Sequence, residues 1–520
     1  MKQLWNADLD NGCYRNPVLY TDYSDPDVIR VGDDYYMISS SFTYVPGVPL
    51  LHSKDLVHWE LINYVVKKLP FDRYDQPAHG AGTWAPALGY HNGIYYAFIP
   101  MPDEGIFVSE TKDPYGQWSE LRCIKEAKGW IDPCPFWDED GKAYMIFAYA
   151  KSRCGIKHRL SICEMDEKAT ELLTEPVLVY DGIQGNPTIE GPKLYKRNGW
   201  YYIFAPAGGV STGWQTVLRS RNIYGPYEYK IVMHQGNSEV NGPHQGGYVE
   251  TQNGDFYFIH FQDAGPYGRI IHMQPMCWNG DWPFIGEESN GDGIGEPVAM
   301  WQYPVKLSGE NYTIPSSDDF KSEELGLQWQ WQANPDSTWY SLSGESKGLV
   351  LNCMNNKVRD ENLLWYAPNA CTQMLQAPEF QTETCITLQS EEHGDFAGLG
   401  IIGHLYTYCG LELCDGKLMV RLREGRVLDR DGIGKAVEWV THSIDMPAGI
   451  NKIWLRINVK AGGIYSYSYS VNETDYNRIG EEYQAVKASW TGAKLALYSC
   501  NTANKVSKGY GIYESIKFTN

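Results

Sequence analysis

Five times in the first three hundred residues, a turn is followed by a short strand with aromatic residues at fixed places. The copies are Asp33-Asp34-Tyr35-Tyr36, Gly93-Ile94-Tyr95-Tyr96, Gly141-Lys142-Ala143-Tyr144, Gly199-Trp200-Tyr201-Tyr202 and Gly254-Asp255-Phe256-Tyr257. They recur roughly every 50–60 residues, a period that marks a repeat architecture. Asn92-Gly93, Asp140-Gly141, Asn198-Gly199 and Asn253-Gly254 read as type I′ hairpin pairs, because both central residues of that turn need positive φ. A strand precedes each turn, and four of these strands open at a proline: Asp25-Pro26, Ala85-Pro86, Asp132-Pro133 and Glu190-Gly191-Pro192. The fifth opens with Gly246-Gly247-Tyr248. Several short strands per repeat, five times over, predict a five-bladed β-propeller with four strands to a blade. Helix is expected to be scarce. The stretch 163–173 can be read as helical, but the repeat places it as outer strand and turn.

After Pro304 the pattern becomes a period-2 alternation. Met419-Val420-Arg421-Leu422-Arg423 and Lys452-Ile453-Trp454-Leu455-Arg456-Ile457 each put their apolar residues on one face, as half-buried strands do. The chain is therefore expected to be all-β: a propeller over residues 1–304, a linker over 305–318 and a β-sandwich over 319–520.

Composition narrows the function. Lys+Arg number 44 and Asp+Glu 64, a net charge of −20, with no extended basic run. Nucleic acid and anionic membrane are poor partners for such a surface. No stretch of about 18 apolar residues exists, so none reads as a membrane-spanning helix. The 18 Trp and 38 Tyr supply aromatic faces for packing or for sugars. The 12 Cys include no CxxC pair, which predicts free thiols in a reducing compartment. The start, Met1 to Asp8, lacks an apolar signal core. If it is the native start, a cytoplasmic location is expected; a trimmed signal would instead mean secretion.

The candidate chemistry sits at the strand openings. The first strand of a propeller blade lines the central channel, and three openings begin with a carboxylate: Asp25, Asp132 and Glu190. They come from blades one, three and four, so they can converge on one ligand. Glycoside hydrolysis needs one protonated carboxyl to donate to the leaving oxygen and one ionised carboxylate to activate water or attack carbon. A third acid nearby raises the donor's pKa by repulsion. Glu190, one methylene longer than Asp, has the better reach for the donor.

On these residues the sequence resembles glycoside hydrolase family 43, five-bladed propeller enzymes acting on xylan and arabinan. The stretch 23–36, Ile131-Asp132-Pro133 and Ile189-Glu190-Gly191-Pro192 are similar to its three ordered motifs. The segments 41–49 and 82–86 resemble the β-xylosidase branch. Asp319-Phe320 with 325–331 resembles that branch's C-terminal, concanavalin A-like sandwich. Ile131 before Asp132 distinguishes the chain from related retaining propellers, which carry Arg-Asp-Pro there.

The resemblance implies an exo-acting, inverting hydrolase of terminal pentoses on xylo- and arabino-oligosaccharides. Asp25 would be the general base, Glu190 the general acid and Asp132 the group that tunes and orients it. Phe42 and Trp84 would wall the sugar subsite, and Arg269 would contact sugar hydroxyls. The run from Phe261 to Arg269 is shorter than the family pattern, and Ile270-Ile271 replaces its usual polar pair. His244 is similar to the family's axial histidine, which leaves room for a calcium ion at the propeller axis; no cofactor is implied for the chemistry itself. The expected activity is β-xylosidase with α-L-arabinofuranosidase side activity. The alternatives are a mainly arabinofuranose- or arabinan-directed hydrolase, or a non-catalytic carbohydrate-binding propeller. The resemblance leaves homo-oligomerisation open. It also implies that the sandwich acts as a lid, and the region 501–513 is where an inserted residue is expected.

Overall fold

The computed structural model describes residues 3–307, 309–310, 312–343, 348–429 and 434–520. Met1 and Lys2 of the expected start, and positions 308 and 311 of the expected linker, lie outside the described residues. Five four-stranded antiparallel sheets each run in sequence order from the channel outward. Their innermost strands are Asp27–Val31, Ala87–His91, Trp130–Trp137, Lys193–Arg197 and His244–Glu250. The stretch read as either helix or strand is a strand, Arg159–Met165, followed by a turn. One short α-helix, Lys151–Cys154, is described in blade three.

The hairpins separate into two kinds. Asn92-Gly93 and Asn198-Gly199 have positive φ at both residues, as a type I′ turn requires. At Asp140-Gly141 and Asn253-Gly254 only the glycine is left-handed. There the loops run from Trp137 to Ala143 and from Glu250 to Phe256, so they are longer than the two-residue turns expected.

Apolar residues that alternate along the strands pack blade against blade. Ile38, Leu50, Ala97 and Ile99 fill the space between blades one and two. Ile146, Ile162, Ile203 and Leu218 do the same between blades three and four. Each of these Ile and Leu side chains contributes about 1.5–3 kcal/mol when fully buried. The ring is stapled where the chain enters and leaves it: Cys13–Arg15 pairs with Met300–Gln302, and Leu19 bridges Ile271 of blade five. Across the channel the buried Lys193 of blade four pairs with Asp27 of blade one at 3.2 Å. All twelve cysteines are free thiols.

The second body is a sandwich of two seven-stranded sheets. Leu399, Leu411 and Val420 from one sheet meet Ile453, Leu455 and Ile457 from the other. These include the inward positions of the two alternating runs. Among the described residues, no helix is long and apolar enough to cross a membrane.

Candidate active site

Three of the inner strands, in blades one, three and five, deliver a functional side chain through a backbone irregularity at the opening. Asp25 and Asp132 both lie in the left-handed region, at φ 55°. Aspartate tolerates this better than most residues, yet the conformation still costs energy, and such outliers concentrate at functional sites. In blade three a register shift between Ile131 and Cys134 turns Asp132 out of the ladder. A similar shift follows His244 in blade five. Glu190 stands three residues before its strand, its N–H donating to Pro206 O at 3.1 Å.

The seven residues singled out from sequence line one small pocket of about 80 Å³: Asp25, Phe42, Trp84, Asp132, Glu190, His244 and Arg269. Ala85, Ile131, Val210, Gln245 and Trp490 complete it. Asp25 is gripped from both sides. Arg269 Nη1 donates to its Oδ1 at 2.7 Å, while Ser40 Oγ and Ser24 Oγ donate to its Oδ2 at 2.6 and 3.0 Å. The same Arg269 Nη1 donates to Ser24 Oγ at 2.7 Å. Asp132 Oδ2 accepts the Gly191 N–H at 2.8 Å, which ties it to the residue after Glu190. Phe42 and Trp84 meet edge to face at 6.2 Å, and Arg153 lies 5.2 Å over the Trp84 ring.

Burial, then the neighbouring Glu190 carboxylate, push the Asp132 carboxyl up from 3.8 to about 8; Asp25 adds to this, and Gly191 and Lys193 oppose it. The Asp132–Glu190 pair thus keeps a proton at neutral pH in a site that also holds Asp25. Glu190 is the more exposed of the two, with a quarter of its side chain open to the pocket.

His244 Nε2 lies 3.4 Å from Glu190 Oε1, a contact rather than a hydrogen bond. Both its ring nitrogens are buried with no hydrogen-bond partner among the described residues. That is the one observation here that fits a cation. Calcium takes six to eight oxygen ligands, and no group of three or more His, Cys, Asp or Glu among the described residues could hold a metal. The protein side chains alone do not make a calcium shell.

The sandwich reaches this pocket through Trp490, in the loop that follows Asn477–Gln484 and precedes Lys494–Asn501. Its ring lies 5.7 Å from Trp84 and 5.8 Å from the Arg269 guanidinium. The inserted residue therefore does not come from 501–513. Strand Lys494–Asn501 has eight residues, and at about 3.3 Å per residue its far end is carried away from the pocket. Other residues not picked out from sequence are Ser24, Ser40, Gln245 and Asp22. Beyond the small pocket opens an outer chamber of about 710 Å³, lined from the propeller by Arg153, Ser211 and Asp263 and from the sandwich by Lys487, Ser489 and Trp490.

A propeller that joins carboxylates from three blades in one small pocket, with a sandwich tryptophan at its wall, is the arrangement of a glycoside hydrolase. The chain belongs to glycosyl hydrolases family 43, whose model matches residues 14–283; a β-xylosidase C-terminal concanavalin A-like domain matches 317–519. A Xylanibacter ruminicola protein named "Putative beta-xylosidase" is 37% identical over 491 residues, covering 94% of this chain and 86% of that one. A non-reducing end α-L-arabinofuranosidase of Bacteroides ovatus is 30% identical over 68% of this chain and 69% of its own. The solved bifunctional GH43-CE chain of Bacteroides eggerthii is 27% identical with a TM-score of 0.82; the match covers 97% of this chain and spans 63% of that one. Enzymes of this family need no cofactor for their chemistry.

Proposed function

We propose that the enzyme releases single pentoses from the non-reducing ends of xylo- and arabino-oligosaccharides, with β-xylosidase activity foremost and α-L-arabinofuranosidase activity beside it. The observation that carries this reading is the joining of three carboxylates from three blades in a pocket of about 80 Å³. The pocket is too narrow for more than the end of a chain, and it opens into the outer chamber of about 710 Å³, with which it shares Val210, Arg269 and Trp490 and which has room for the rest. In this reading Asp25, oriented by Arg269, Ser24 and Ser40, takes a proton from the attacking water. The water oxygen bonds to the anomeric carbon from that side. Glu190 gives its proton to the departing glycosidic oxygen, and the configuration at carbon inverts. Asp132 supplies the repulsion that keeps a proton on the pair. Phe42, Trp84 and Trp490 offer ring faces to the sugar.

Support for xylose comes from the β-xylosidase name of the Xylanibacter ruminicola relative. The Bacteroides ovatus relative favours a second reading in which arabinofuranose comes first. A panel of aryl β-xyloside, α-L-arabinofuranoside and β-galactoside separates these. The β-xyloside should be cleaved fastest and the galactoside least, with α-xylose the first product by NMR. A faster galactoside, or β-xylose formed first, would overturn the reading. Calcium enters only as a proposal resting on the unpartnered nitrogens of His244, with water completing its shell. Chelation should then lower the melting temperature and calcium should restore it. An unchanged rate and melting temperature would remove the ion.

A further inference from the structure

Asp22 is buried where propeller and sandwich meet, three residues before Asp25. Its Oδ1 accepts the N–H of Arg269 at 2.8 Å, and its Oδ2 accepts the N–H of Gly492 at 2.8 Å. One partner is 247 residues away and the other 470. Arg269 is thus held twice by one short segment: its backbone by Asp22, its guanidinium by Ser24 and Asp25. Gly492 lies two residues after Trp490.

The three segments approach closely enough to exclude side chains. A Cβ at Gly268 would lie 2.2 Å from Asp22 Cγ, and one at Gly492 would lie 2.5 Å from Gly268 N. Next to this contact, Ala493 N–H donates to Pro266 O at 2.7 Å. On the sandwich side the buried Lys494 supplies the opposing charge, its Nζ 4.3 Å over the Tyr44 ring. A carboxylate with two backbone donors in fixed directions constrains both partners at once, as a single hydrogen bond does not.

We infer that Asp22 is a positioning residue of the sugar pocket: it sets Arg269 of the propeller and Trp490 of the sandwich in one register, so that the pocket is complete only with the sandwich loop clasped. The inference rests on the reading of that pocket as the site of the terminal sugar. It makes the sandwich part of the substrate-binding surface through a group that never touches substrate.

The test is a double-mutant cycle in the full-length enzyme with Asp22→Asn and Trp490→Ala. It is read on whichever aryl glycoside the wild type cleaves fastest, at a temperature well below every variant's melting point. Asparagine keeps the size of the side chain but turns an amide N–H toward one of the two backbone N–H groups. Asp22→Asn should raise KM roughly 10-fold and change kcat less than about 3-fold, since a small displacement of a binding wall is felt first in affinity. In the Trp490→Ala background the same change should raise KM only about 3-fold, the part that acts through Arg269, and the missing remainder is the non-additivity expected of residues acting as one unit. Equal KM losses in both backgrounds, or an unchanged KM in Asp22→Asn, would reduce Asp22 to a structural tie between the two bodies. If Asp22→Asn folds poorly, Gly492→Ala disturbs the same clasp from the loop side and takes its place in the cycle. Failure of the pentose reading would appear separately, as wild-type preference for another glycoside, and the cycle would then be run on that substrate.

Discussion

At the scale of single residues, the acid pair decides the chemistry. Asp132 holds its proton to about 8 because burial and Glu190 both oppose its charge, whereas the unfolded carboxyl ionises near 3.8. A folded pKa above the unfolded one favours folding at low pH, and that contribution is lost as pH rises through about 8. Asp132→Asn should therefore raise the melting temperature near pH 8 while lowering turnover, the usual exchange of activity for stability at a strained site. The Asn oxygen can still accept the Gly191 N–H, so the fold should persist. With one carboxyl of the pair replaced by an amide, the last proton no longer leaves against a charge already present, and the high-pH limb of kcat/KM should move to lower pH. Glu190→Ala should cost about 10²–10⁴-fold on xylo-oligosaccharides, whose alkoxide leaves poorly without a proton. A dinitrophenyl xyloside, whose phenolate leaves unaided, should lose far less. Equal losses on both substrates would take the acid role away from Glu190.

At the scale of strands and loops, the structure explains which parts of the site could be read in advance. The blade openings were legible because a repeat makes equivalent positions comparable. Three carboxylates at matching places stand out where one Asp-Pro would not, and the left-handed backbone at Asp25 and Asp132 is what turns them into the channel. Two of the four hairpins were legible in type; at Asp140-Gly141 and Asn253-Gly254 neither type nor length was, since such a pair also suits a longer loop with only its glycine left-handed. Trp490 could not be found this way. Its loop belongs to no repeat, and nothing local says that residues after Gln484 return to the propeller. Asp22 and Lys193 were hidden for a related reason: each works through a partner far away in the chain, Gly492 for one and Asp27 for the other. Position in a motif reports what a side chain faces in its own blade, not what a second body brings to it.

At the scale of the whole molecule, propeller and sandwich share a core. Tyr267, Ile270 and Leu4 of the first body pack in one cluster with Phe380, Val459 and Ala493 of the second. Val45 and Trp331 exchange backbone hydrogen bonds, at 3.0 and 2.6 Å, as neighbours in a sheet do. The Asn334 side chain bonds both the N–H and the carbonyl of Leu69, and His79 stacks on Trp365 at 3.7 Å. Domains joined by a polar, partly wet contact move and melt separately; a large apolar contact couples them. Calorimetry of the full chain should therefore give a single endotherm, with calorimetric and van't Hoff enthalpies closer than two independent domains allow. A propeller produced without the sandwich should be poorly soluble, because Tyr267 and Ile270 would face water as part of an uncovered apolar patch. Two well-separated endotherms in the full chain, together with a soluble and folded propeller fragment, would mean that the bodies are stable apart and that the shared cluster only docks them.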